Sequence, residues 1–193
     1  MKSMFELPSN YKPLLSVDLA KNKKLFIGIN AAALVIGVLL AVLGALSHPI
    51  TAFFDLELMG ATLLRLLVVI LSLVAYVVLH ELVHGLFIRI FSGRRATYKF
   101  TLAYASAGSE AYFGKWPYIV IALSPVVLLG AVLFLLCLVL PEAWFWVAYV
   151  VQIMNLSGAA GDYFVTLRFC ALPRDILVRD SGTAMTVYAP ENT

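Results

Sequence analysis

His80, Glu81 and His84 are the residues of this sequence best able to do chemistry, and they interrupt a long apolar run. On an α-helix, positions four apart differ by about 40° around the axis, so His80 and His84 lie on one face. Two imidazoles there can bind one metal ion, and Glu81, next in the chain, can reach a water on that metal. This spacing is the H-E-x-x-H arrangement of zinc hydrolases. The alternative is a hydrogen-bonded core pair of histidines.

A catalytic zinc usually has three protein ligands and a water. We predict that Asp162 is the third ligand, because it lies at the same depth as His84. His84 precedes Arg89 by five residues and Asp162 precedes Arg168 by six, in two spans that run in the same direction. The three predicted metal ligands are therefore His80, His84 and Asp162.

Two alternatives to Asp162 as the third ligand remain open. Glu110 is the substitute ligand if the segment around it folds back onto the metal. Asp162 is otherwise an internal ion-pair partner for Arg65 or Lys115. His48, at the far end of the first apolar stretch, is expected to be unrelated to the metal.

The composition is that of an integral membrane protein. The 193 residues are 62% hydrophobic and 13% charged, with a mean hydropathy of +0.94. A soluble domain is typically about 45–50% apolar and roughly 25% charged. The formal net charge of +3 is too small to indicate a nucleic-acid partner. Cys137 and Cys170 have neither metal-binding spacing nor the pattern of a disulfide framework.

Four stretches have the length of about 20 apolar residues that crossing a bilayer requires. They run over residues 25–46, 61–91, 116–140 and 143–169, and the second carries the histidine pair. The prediction is an all-α membrane protein of one metalloprotease-like domain. It has four transmembrane helices and a short β-hairpin or re-entrant loop between the second and third.

Lysine and arginine residues orient these spans. They cluster before the first span, around the second connection and after the last span, and none lies in the other two connections. The positive-inside rule then places both termini in the cytoplasm. The residues are Lys2, Lys12, Lys21, Lys23 and Lys24; Arg89, Arg94, Arg95, Lys99 and Lys115; and Arg168, Arg174 and Arg179.

Residues 97–116, between the second and third spans, do not form a convincing span, and residues 98–104 within them alternate with a period of two, which indicates a strand. Tyr98, Phe100, Leu102 and Tyr104 form one side of it. We predict a turn over residues 105–109 and a returning strand over 111–113. An interfacial loop is the alternative. The tail from Leu172 is expected to be a short cytoplasmic strand or loop.

Asn155 precedes Asp162 by seven residues, about two helical turns, so both face one direction if the helix is regular. The residues between them are mostly small and permit close helix approach. Asn155 is therefore a candidate for holding substrate or its oxyanion. Interhelical hydrogen bonding by Asn155 and Gln152 is the alternative.

The sequence over residues 64–187 resembles the putative zincin peptidase family of bacterial membrane proteins. The resemblance rests on His80-Glu81-Leu82-Val83-His84-Gly85, on Asn155 and Asp162, and on the basic tail. More distantly, the chain is similar to the site-2 protease group of intramembrane metalloproteases. This implies Zn²⁺ held by His80, His84 and Asp162, with Glu81 as the general base. Asn155 would match an asparagine of that group.

These features predict a zinc-dependent endopeptidase that acts within the membrane or at its interface. The expected partners are the lipid bilayer and a membrane-protein or membrane-bound peptide substrate, with no nucleic acid. The expected location is the bacterial plasma membrane. A metal-binding, non-proteolytic scaffold or partner subunit is the alternative. A His₂Asp site also accepts iron, cobalt or manganese.

Overall fold

The computed structural model describes residues 3–18, 21–55, 57–101, 105–182 and 184–191. The chain forms two compact units. The first comprises Met1–Ile29, His80–Pro125 and Gly161–Thr193, and the second comprises Asn30–Leu79 and Val126–Ala160. Since the chain alternates between the two units, this division does not test the prediction of one domain, which stays a prediction.

Three helices of the described part are long and apolar enough to cross a membrane. They are α1 (Lys23–Ser47), α2 (Met59–Ser92) and α3 (Lys115–Val139), and they confirm the first three predicted spans as helices. At about 1.5 Å per residue, the 34 residues of α2 exceed the roughly 30 Å of bilayer hydrocarbon. A short 3₁₀ turn, Ile50–Phe53, lies between α1 and α2.

The predicted fourth span is two helices rather than one. Helix α4 (Glu142–Gly158) ends at Gly158, and α5 (Ala160–Cys170) begins after the single residue Ala159. Glycine is a poor helix former, and two glycines flank this point, so the break follows from weak local propensity. The assumption of one regular helix through Asn155 and Asp162 was therefore wrong.

The chain is mostly helical, as predicted, but it is not all-α, because the first unit also contains a five-stranded sheet. Its order is β1-β5-β6-β7-β2, and every neighbouring pair is antiparallel. The strands, named in chain order, are β1 (Ser3–Met4), β2 (Tyr11–Asp18), β5 (Tyr112–Gly114), β6 (Leu177–Asp180) and β7 (Ala184–Pro190). Alternating residues of β7 are buried, as expected for a sheet with one face on a core. The tail thus contains the predicted strand.

Strands β3 (Thr97–Phe100) and β4 (Ala105–Gly108) form a separate antiparallel pair. The hairpin between α2 and α3 therefore exists, but the predicted turn is strand β4, and the predicted return strand is β5 of the larger sheet. Leu102 and Tyr104 of the predicted first strand lie outside the described residues. The small residues of β4 suggested a turn, but one of them, Gly108, allows close packing of the strand instead. A Cβ at Gly108 would overlap the backbone of Ser181 and Gly182.

The core of the first unit joins this sheet to the helices. Phe113, Phe169, Val178 and Val187 are almost fully buried in it. The side chain of Lys115 is also buried, and its Nζ donates hydrogen bonds to the carbonyls of Cys170 and Leu172, at the end of α5. A cation at a helix C-terminus is stabilised there by the unpaired carbonyls.

In the second unit, polar and aromatic contacts join the helices. Gly44 of α1 lies against the ring of Tyr149 of α4, where a Cβ would not fit. The Tyr149 hydroxyl donates a 2.7 Å hydrogen bond to the Leu40 carbonyl. The ring of His48 stacks on Phe145 with centroids 3.7 Å apart.

Candidate metal centre

His80 and His84 lie on one face of α2, as their spacing predicts. Their Nε2 atoms are 3.1 Å apart, and both side chains are largely buried. A helix made of strongly apolar residues holds them, so few other polar side chains of α2 compete for these nitrogens.

Asp162 lies in the first turn of α5 and faces both imidazoles. Its Oδ2 is 3.5 Å from Nε2 of His80, and its Oδ1 is 3.6 Å from Nε2 of His84. The helix break places Asp162 at a helix N-terminus, where the unpaired N–H groups stabilise a carboxylate. Among the described residues, His80, His84 and Asp162 form a group whose ligand atoms all lie within 4.8 Å of one another.

The separations fit a zinc ion. Zn²⁺ binds histidine nitrogen and carboxylate oxygen at about 2.0–2.2 Å in tetrahedral geometry, which sets ligand atoms about 3.3 Å apart. The three separations of 3.1, 3.5 and 3.6 Å lie close to this value. Three ligands leave a fourth position for water or substrate, as in catalytic rather than structural zinc sites.

The backbone of α3 orients His84. The Nδ1 atom of His84 lies 2.9 Å from the carbonyl oxygen of Ile121, so the Nδ1–H group donates a hydrogen bond there. That bond selects the tautomer in which Nε2 carries a lone pair toward Asp162 and His80. Sequence reasoning missed Ile121, although Pro125 marks it: Pro125 lies four residues later inside α3 and lacks the N–H that would bind the Ile121 carbonyl in a regular helix.

Glu81 is buried next to the metal ligands, with 8% of its surface exposed. The backbone N–H of Ala107, in β4, is a hydrogen-bond partner of its carboxylate. The hairpin predicted between α2 and α3 therefore reaches the residue predicted to act as the base.

The same hairpin packs on α2 at Gly85, the residue after His84. The Tyr98 side chain of β3 covers Gly85 so closely that a Cβ there would overlap the Tyr98 hydroxyl. Gly85 is thus required for close approach of β3.

Asn155 is fully buried in the second unit. Its Nδ2 donates to the Val126 carbonyl at 3.1 Å and to Oε1 of Gln152 at 3.4 Å. Its Oδ1 accepts from the Tyr76 hydroxyl at 3.2 Å. The bonds with Val126 of α3 and Tyr76 of α2 are the interhelical hydrogen bonding weighed as the alternative for Asn155, whereas the bond with Gln152 lies within α4. Contact of Asn155 with substrate stays a prediction.

The other carboxylate alternatives have different partners. Glu110 pairs with Arg179 at the exposed surface rather than with the metal ligands. Arg65 donates to the Phe53 carbonyl at 2.7 Å, and Lys115 is held by the carbonyls that end α5. No ion pair of Asp162 with Arg65 or Lys115 is present among the described residues.

Comparison with known proteins gives one family. The sequence model of the family described as "Putative zincin peptidase" matches residues 73–177, which is more than half of the chain. The match includes the three candidate ligands and Glu81. No curated protein and no solved structure matches the chain.

Proposed function

Because the chain belongs to the putative zincin peptidase family, we propose that it is a zinc-dependent endopeptidase acting within the membrane or at its interface. The observation that carries the proposal is the convergence of His80, His84 and Asp162 with Glu81 beside them. The family implies zinc, and the ligand separations fit that ion.

When bound, Zn²⁺ supplies a Lewis acid that lowers the pKa of a water toward about 7 and polarises the scissile carbonyl. The Glu81 carboxylate would take a proton from the attacking water on one of its oxygens. It would then deliver that proton to the nitrogen of the leaving amine, so that one group serves as base and acid in turn.

The remaining residues hold the reacting groups in place. The Ile121 carbonyl fixes the His84 ring, and the first turn of α5 fixes Asp162. The Ala107 amide restrains the Glu81 carboxylate on the side of β4. Glu81 is buried, and His80, His84 and Asp162 are partly buried, which limits the access of bulk water to the bond being cut.

We propose a membrane-protein or membrane-bound peptide as the substrate. A helical substrate hides its carbonyls and must unwind before cleavage. Strand β3 offers an edge for the unwound segment, since all four of its residues are exposed and β4 is its partner on one side. Addition of a substrate strand there is a known mode of peptide recognition.

The sheet supports the proposed topology. Strands β1 and β2 precede α1, β5 lies between α2 and α3, and β6 and β7 follow α5. Strands of one sheet must lie on the same side of any membrane. If α1, α2 and α3 each cross, α4 and α5 must together return the chain, which gives four crossings with a broken fourth helix. The basic residues make the sheet side cytoplasmic, and a bacterial plasma membrane is the proposed location.

The decisive test compares wild type with Glu81→Gln. We expect the variant to keep about one zinc per chain and to lose about 10²–10⁴-fold in cleavage rate, as for a removed general base. Cleavage is followed on a reporter with a membrane-embedded segment, and zinc by elemental analysis of the purified protein.

Glu110→Gln is the matched control, because it removes the same charge from an exposed acid of the same unit. It should cleave at the wild-type rate. Undiminished cleavage by Glu81→Gln would exclude the base role. If the wild-type protein binds zinc but does not cleave the reporter, and if cells that express it release no additional membrane-protein fragments, the non-proteolytic scaffold would be favoured.

A further inference from the structure

Tyr118 and Asp180 form a hydrogen-bonded pair beside the candidate site that the ligand set does not use. Tyr118 lies in the first turn of α3, is 7% exposed, and donates its hydroxyl to the carboxylate of Asp180 at the end of β6. Its ring packs against Phe113 and Phe169. Burial raises the pKa of Asp180, and the charges of Asp180 and Asp162 influence each other.

Tyr118 is connected to the metal ligand His84 through α3. Tyr118 precedes Ile121 by three residues, so the two lie on neighbouring positions of one face of α3. The Ile121 carbonyl is the group that orients the His84 ring. The Tyr118–Asp180 hydrogen bond therefore fixes, against β6, the same face of α3 that orients a ligand.

Asp180 is connected to Glu81 through β4. Oδ1 of Asp180 accepts a 2.7 Å hydrogen bond from the Gly182 N–H, and the Asp180 carbonyl accepts one of 2.7 Å from the Ser109 N–H. Gly182 has a φ of 84°, which favours glycine, and the turn around it packs against Gly108 of β4. The residue before Gly108 is Ala107, the backbone partner of the Glu81 carboxylate.

We propose that Tyr118 and Asp180 are positioning residues that hold β4 and α3 together, and thereby set the Glu81 carboxylate relative to His84. Among the described residues no hydrogen bond or ion pair joins this pair to His80, His84 or Asp162, so the pair would act through Ala107 and Ile121. The inference rests on the proposed function for the role of Glu81. Asp180 lies beyond residues 73–177, so the family match does not include it.

The test uses Tyr118→Phe, which keeps the ring and removes the hydroxyl, and Asp180→Ala, which removes the acceptor. Each full-length variant is purified into lipid nanodiscs. We expect about a 10-fold lower kcat, the lower end of the range for groups that orient metal ligands, with KM and zinc content unchanged. Kinetics use the membrane-segment reporter, and zinc is measured by elemental analysis.

Two further measurements separate positioning from general support. Amide hydrogen exchange over β4, residues 105–108, should be faster in both variants, since β4 loses its anchor. Asp180→Asn should recover most of the kcat, because its amide oxygen still accepts from Tyr118 or Gly182. The double variant Tyr118→Phe/Asp180→Ala should be no slower than Asp180→Ala alone, as for two groups acting through one contact.

Glu110→Gln is again the matched control. It breaks the exposed contact of Glu110 with Arg179, the residue next to Asp180, and should change neither kcat nor exchange. Wild-type kcat and exchange in Tyr118→Phe and Asp180→Ala would overturn the proposal. So would loss of zinc along with activity, or an equal loss in Glu110→Gln. If the wild-type protein does not hydrolyse the reporter, the proposed function fails. The anchoring of β4 is tested separately, because unchanged amide exchange in Tyr118→Phe and Asp180→Ala would overturn it even then.

Discussion

Each of the two units contains a cluster of polar side chains on apolar helices, and the clusters differ in how their atoms pair. Around Asn155, every contact joins a donor to an acceptor: two from its amide nitrogen and one to its oxygen. At His84, Nδ1–H is bonded to Ile121, so Nε2 is an acceptor and faces a carboxylate oxygen of Asp162. A donor–acceptor pair is complete by itself, whereas two facing acceptors are stabilised by a proton or a metal ion between them.

This comparison separates two uses of polar groups among apolar helices. Both are costly to bury, so both must be compensated. The paired cluster is compensated inside the protein and joins helices. The cluster of His80, His84 and Asp162 has the arrangement that a bound metal ion could compensate. The donor and acceptor roles, rather than the presence of polar residues, distinguish the two.

The largest effect should come from removing an acceptor of the metal cluster. Asp162→Ala should weaken zinc binding by more than about 100-fold, beyond the loss typical for groups that only orient ligands, and should bring cleavage to background. Zinc titration of the purified protein measures this. His84→Ala should behave in the same way, and tight zinc binding in both variants would remove the distinction between the clusters.

Asn155→Ala should have the second largest effect, and on stability rather than on metal. The change removes the hydrogen bonds of Asn155 with the Tyr76 hydroxyl, the Val126 carbonyl and Oε1 of Gln152, and each buried group that loses a bond costs about 1–3 kcal/mol. Thermal unfolding in detergent should therefore occur at a lower temperature, with zinc content unchanged. A normal melting temperature with a raised KM would instead indicate that Asn155 holds substrate.

The smallest effect should come from Gly85→Ala, which removes no polar atom from either cluster. The new methyl group overlaps the Tyr98 hydroxyl, which is the far end of a partly exposed side chain and can move. We expect a loss of about 1 kcal/mol, at the lower end for overpacking, and full zinc content. In a Tyr98→Ala background the same change should cost almost nothing, and an equal cost there would show that Tyr98 is not the obstacle.

The sequence was sufficient for the features that depend on local pattern. Continuous apolar length predicted α1, α2 and α3, and helical spacing placed His80 and His84 together. Asp162 was chosen by its depth relative to Arg168, and it lies within 3.6 Å of both histidines.

What the sequence did not show depends on contacts between distant segments. Residues 3–4 pair with 112–113, and residues 112–114 pair with 177–179, so no local pattern reveals this sheet. The run from Ala105 to Gly108 reads as a turn until its packing against Ser181 is known. The break at Ala159 has no proline to mark it. The role of the Ile121 carbonyl is independent of its side chain.

The order of the strands has a consequence for biosynthesis. β6 and β7 are translated after all five helices, yet β5 and the contacts of β4 depend on them. A nascent chain halted before residue 177 would therefore carry the histidine pair and Asp162 without the support of β4 beside Glu81. The support of β4 beside Glu81 would therefore form only after residues 177–190 are available to complete the sheet.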